Sequence, residues 1–140
     1  MSDRPVLSVP AEYPALTKLR AFVREQALDR GMSGKDAEAL ALAVDEAATN
    51  IISHVTKGLP HIIECACEND VKNDEIICEI FYDADDFFTP DRTPDREEIL
   101  NRVQSFKRGG LGVYLVHTLV DKVEYRREGD RNVICLIKHI

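Results

Sequence analysis

Between Gly34 and Lys57, apolar side chains recur every three or four residues: Ala37, Leu40, Ala41, Val44, Ala47, Ala48, Ile51, Ile52 and Val55. That spacing makes one broad stripe on a helix. It predicts an α-helix over 34–57, ended by Gly58 and Pro60. Ser33 stands at the N-cap, with Asp36 in the place of the capping-box acid. A shorter helical pattern, Leu16, Leu19, Val23 and Ala27, covers 14–30, and Gly31 is its stop. Ahead of both, residues 5–9 lie between Pro5 and Pro10 and read as a short edge strand.

After the long helix the period changes to two. Residues 61–68 place Ile63, Cys65 and Cys67 on one face of a strand. Residues 75–82 place Ile76, Cys78, Ile80 and Tyr82 on one face, with Ile77 and Phe81 on the other. The polar stretch 69–74 is the hairpin loop between them. Residues 84–108 break the pattern, with a short possible helix near 96–105, and so long a weakly apolar stretch is usually a lid or binding loop. A helix over about 110–120, apolar nearly all round, should be buried, and strands near 122–127 and 132–138 are joined by a turn at Gly129. Grouped helices and hairpins, without strict βαβ alternation, predict an α+β fold built as a two-layer α/β sandwich.

Bulk properties narrow the class. At 140 residues, 44% hydrophobic and 31% charged, the chain reads as one globular domain spanning 1–140. No apolar run approaches the roughly 18 residues that cross a bilayer. The N-terminus has no basic region followed by an apolar stretch, so a cytoplasmic location without membrane contact is expected. The net charge of −7 argues against direct nucleic-acid binding. The basic clusters at Arg92–Arg108 and Arg126–Arg131 read as solvated surface. Cys65, Cys67, Cys78 and Cys135 fall in β-like runs without paired C-x-x-C spacing, as expected of reduced core thiols.

Three features carry chemistry. Glu46 and Asn50, one turn apart, lie with His54 in a slanted row beside the apolar stripe of the 34–57 helix. An asparagine oxygen suits Mg²⁺, and a neighbouring carboxylate can take a proton from an attacking hydroxyl. Gly109, Gly110, Leu111 and Gly112 open the 110–120 helix, whose unpaired N–H groups can face phosphate. Neither a Walker loop nor a dinucleotide fingerprint is present. Asp83, at the end of the 75–82 strand, can accept a hydrogen bond from an exocyclic amine. Taken singly, each feature also fits a plain structural role: an exposed helix face, a packing junction, a turn.

Their order changes that balance. "ALAVDEAATNIISH" (41–54), "FYDADDFFTP" (81–90) and "RGGLGVYLVHTLVDKVEY" (108–125) resemble the N box, adenine box and glycine-box helix of the Bergerat-fold, histidine-kinase-like (GHKL) ATPases. Within that superfamily the chain is most similar to the small anti-sigma factor serine/threonine-protein kinases. The resemblance implies a mixed, mostly antiparallel sheet and ATP with Mg²⁺ as cofactors. It gives Asn50 the metal, Glu46 the role of general base, and Asp83 the adenine amine. Gly109, Gly110, Leu111 and Gly112 would bind phosphate under a lid over about 86–108, and His54 would form a pocket wall. It further implies a sigma factor and an anti-anti-sigma protein substrate as partners, and a homodimer. One position departs from the family pattern D-x-G: Asp85 stands where glycine is usual. A side chain and added negative charge there should weaken nucleotide binding. The alternative to the kinase is a partner-switching binding module of the same fold without catalysis.

Overall fold

The computed structural model describes residues 4–54, 62–85 and 111–140. Strand β1 (Val6–Pro10) leads through a short 3-10 turn into helix α1 (Leu16–Asp29), then α2 (Gly34–His54). The hairpin β2 (Ile62–Asp70) and β3 (Glu75–Asp83) follows, then α3 (Leu111–Leu119), β4 (Lys122–Glu128) and β5 (Arg131–His139). Every element expected within these residues appears, with ends shifted by one or two residues, while the possible short helix near 96–105 lies outside them. The anticipated end of α2 at Gly58 and Pro60, and the segment 86–110, lie outside the described residues.

Local chemistry sets the boundaries. Gly31 adopts φ +91°, open to glycine without steric cost. Its N–H reaches the Leu28 carbonyl while the Met32 N–H reaches Ala27, the paired bonds of a Schellman stop. The Ser33 hydroxyl oxygen accepts the Asp36 N–H at 3.1 Å and so starts α2. In the β2–β3 turn the Asp70 carboxylate accepts the Asn73 N–H, and Asp74 takes φ 56°. At the far end of α3, the Lys138 ammonium donates to the Leu119 carbonyl at 2.9 Å.

The sheet runs β1-β2-β3-β5-β4. Each of its four described pairings is antiparallel, so the parallel component of the expected mixed sheet is not found among the described residues. Helix α2 packs between α1 and α3, and together they cover one face of the sheet. The main core lies there: Leu19, Val23, Leu40 and Val44 from the helices meet Ile63, Ile80 and Leu136 from the strands. The described part of α3 is covered less completely than its sequence suggests, since Val116 is buried but Thr118 is exposed.

The other face has no helix among the described residues, yet Ala66, Phe81 and Val133 form a second buried cluster on it. The Arg131 guanidinium lies 4.6 Å and that of Arg4 5.6 Å from the centre of the Phe81 ring. Arg4 and Arg126 both pair with Glu79, and Arg131 pairs with Glu64 at 3.2 Å. No described helix is long and apolar enough to cross a membrane.

Candidate functional site

The apolar stripe of α2 orients its polar row. Ala43, Val44, Ala47, Ala48 and Ile51 are buried, which fixes the helix about its axis. Glu46 and Asn50 then fall on the side left half-buried, in line with the exposed Leu42 and Ser53. Asp45, next to Glu46, turns instead toward α1, where the Arg20 guanidinium is 3.6 Å away. Burial raises the Asp45 pKa, and Arg20 only partly opposes the shift. The two adjacent acids thus differ in place: Asp45 is tied into the helix pair, while Glu46 borders the open side.

Leu111 and Gly112 form the first turn of α3, where helix N–H groups have no partner within the helix. Because α2 and α3 pack together, the helix bearing Glu46 and Asn50 lies beside the helix bearing Gly112. Gly109, Gly110 and the 86–108 lid lie outside the described residues.

Asp83 is exposed at the end of β3. Strand alternation puts it in line with Glu79 and Phe81, whereas the next residue, Ala84, joins the helix-side core. An open cleft of about 280 Å³ lies against it, lined by Asp83, Ala84, Asp85, Arg127 and Asp130. The Ala84 N–H donates to the Asp130 carbonyl at 3.1 Å, tying the end of β3 to the β4–β5 turn. Thus α2 and α3 come together, while Asp83 takes its described neighbours from β4, β5 and the turn between them.

Sequence reasoning missed Arg127 and Asn132. The Arg127 guanidinium donates to the Asp85 carbonyl at 3.3 Å and to Asn132 Oδ1 at 3.1 Å. The Asn132 amide in turn donates to the Tyr82 hydroxyl at 3.4 Å. This chain runs from the buried sheet to the residue that occupies the usual glycine position. The basic cluster at 126–131 was the visible signal, but it reads as solvated surface until β4 and β5 are paired. Then Arg126 and Arg131 turn to one face and Arg127 to the other.

Comparison with known proteins points the same way. The family model for the histidine kinase-like ATPase domain matches residues 9–138. The serine-protein kinase RsbW of Halalkalibacterium halodurans is 31% identical over 128 residues, covering 87% of this chain and 75% of that protein. The protein of the same name from Listeria innocua is 29% identical, covering 92% of this chain and 83% of its own length. Among solved structures, the RsbU and RsbW domains of a Mycobacterium tuberculosis protein superpose with a TM-score of 0.58 at 15% identity. That match covers 96% of this chain but 32% of the other. The histidine kinase domain of a blue-light activated kinase from Erythrobacter litoralis gives a TM-score of 0.51, also at 15% identity, covering 93% of this chain and 61% of that one. At such identity these two structures speak for the fold.

Proposed function

The chain belongs to the histidine kinase-like ATPase family, and from that premise we propose that it is an ATP-dependent protein serine kinase that also sequesters a sigma factor. Its phosphate acceptor is a serine of an anti-anti-sigma protein, and it works in the cytoplasm as a single domain, as a homodimer. The observation that carries this reading is the placing of Glu46 and Asn50 one turn apart on the half-buried side of α2, inside the family match.

The donor set suits Mg²⁺. Mg²⁺ is commonly held by one or two protein oxygens together with phosphates and water. Asn50 supplies the protein oxygen without adding charge. An ion held there would supply positive charge to the terminal phosphates. Glu46 accepts the proton of the acceptor serine hydroxyl at its carboxylate. Backbone N–H groups of Gly109, Gly110, Leu111 and Gly112 donate to phosphate oxygens. Asp83 accepts from the adenine amine while the 86–108 segment closes over the nucleotide.

Calorimetric titration with ATP and ADP, with and without Mg²⁺, tests the site. We expect micromolar binding that depends on Mg²⁺ and is lost in Asn50→Ala. Glu46→Gln should keep ATP binding and abolish transfer to the protein substrate; equal loss of both would overturn the role given to Glu46.

A second reading, a partner-switching module without catalysis, draws on one observation. Asp83, Asp85 and Asp130 line the same cleft as Arg127, and three acidic residues against one basic one leave an excess of negative charge that disfavours an anionic nucleotide. Absence of binding at millimolar ATP, with partner binding intact, would favour it.

A further inference from the structure

Three of the four cysteines meet in the core, away from every residue given a role above. Cys65 and Cys67 share the helix-side face of β2, and Cys78 lies on the same face of β3, in register directly opposite Cys67. All three are buried and free. The Sγ atoms of Cys67 and Cys78 are 3.1 Å apart.

The backbone explains this closeness. The Cys67 N–H donates sideways to the Pro5 carbonyl, next to β1, at 3.1 Å. A strand residue turns its N–H and C=O to the same side, so Cys67 makes no ladder bond to β3. Cys67 and Cys78 are therefore a non-hydrogen-bonded pair, the kind with Cα atoms about 4.5 Å apart and side chains closest together. That spacing sits at the short end of the roughly 4.4–6.8 Å range that disulfides span. A bond can form there without shifting either strand, and at the limit of the range it stays open to reduction.

We propose that Cys67 and Cys78 form a reversible dithiol–disulfide pair that is oxidised by hydrogen peroxide. Interaction with the Cys65 and Cys78 thiols lowers the Cys67 pKa against the opposing effect of burial. The same interactions, reinforced by burial, raise the pKa of Cys65 and of Cys78. The two sulfurs face each other 3.1 Å apart, so either can be oxidised first and the other resolves it. Starting from Cys67, its sulfur attacks one peroxide oxygen and the O–O bond breaks, giving a sulfenic acid. The other oxygen leaves with the former thiol proton as water. The Cys78 sulfur then attacks the sulfenic sulfur, forming the S–S bond. Its thiol proton departs with the hydroxyl as a second water. Two thiols lose two electrons and the peroxide gains them.

Burial shuts bulky reagents out of the folded chain, which is why the oxidant is small. The pair needs neither nucleotide nor partner, so it stands or falls independently of the kinase reading.

The test uses the full chain, reduced, cleared of reductant and incubated with hydrogen peroxide, then denatured, alkylated and mapped by mass spectrometry. Two of its four thiols should be lost and the mass should fall by two hydrogens. A single linked peptide should join Cys67 to Cys78, and dithiothreitol should restore all the thiols. Cys135→Ser should still lose two thiols, because Cys135 lies on the other face of the sheet, opposite Glu79. Retention of every thiol, a link through Cys65 or Cys135, or irreversible oxidation of Cys67 to a sulfinate would overturn the proposal. The map of the unaltered chain decides this alone, whether or not any variant folds.

Discussion

Ile80 and Phe81 are neighbours on β3, exposed to 0% and 5%, yet what covers them differs in kind. Ile80 faces the helices and belongs to a core of close-packed aliphatic side chains and thiols. Phe81 faces away from them, and two guanidiniums lie over its ring, one paired with Glu79 and one with Glu64. On the helix side, burial is maintained by volume, because a missing methyl leaves a hole that rigid elements cannot close. On the other side it is maintained by charges holding flexible side chains in place, and such a cover can shift. Stability should therefore respond to different perturbations on the two faces.

The sharpest break comes from Ile80→Ala. It should cost about 3–4 kcal/mol in urea unfolding, with little dependence on salt. Glu79→Gln comes next, at about 2 kcal/mol, because Arg4 and Arg126 lose their shared carboxylate. Its pH dependence sharpens the contrast. Burial pushes the Glu79 carboxyl up, but Arg4 and Arg126 outweigh it and hold the pKa below the ordinary 4.5. A depressed native pKa contributes stability that is complete above the ordinary value and is lost as pH falls through the native one. The gap between wild type and Glu79→Gln should be constant near neutral pH and close in acid, whereas the cost of Ile80→Ala should persist. The smallest effect belongs to Arg131→Gln, below about 1 kcal/mol, since the Arg131–Glu64 pair is partly exposed. That variant should also be less sensitive to salt than the wild type. Equal salt sensitivity in the Ile80 and Arg131 variants would collapse the distinction.

Much of this was legible in the chain. The three-and-four spacing in α2 gave both the helix and its buried side, and so the row that holds Glu46 and Asn50. Alternation in β3 separated Ile80 and Tyr82 from Ile77 and Phe81 correctly, because the strand period is two wherever the strand pairs. Gly31, Ser33 and Gly129 marked a stop, a cap and a turn through backbone chemistry that is local to them. What was not legible depends on register. Nothing in the sequence sets Cys67 opposite Cys78, or Arg4 beside Glu79, because β1, β2 and β3 must first be aligned. The same holds for Arg127 and Asn132, whose contacts with Asp85 and Tyr82 require β5 to lie between β3 and β4.

That strand order has a kinetic consequence. The hairpins β2–β3 and β4–β5 each close through a short turn, so either can form early and locally. The sheet is complete only when β5 finds β3, pairing nine residues from Glu75 to Asp83 with partners from His139 back to Arg131. Ordering the long intervening chain is an entropic cost met before any of those contacts can form. Until then β3 and β5 each present an apolar edge, and the joining of two preformed hairpins is the step at which this fold is slowest and most exposed to mispairing with another chain.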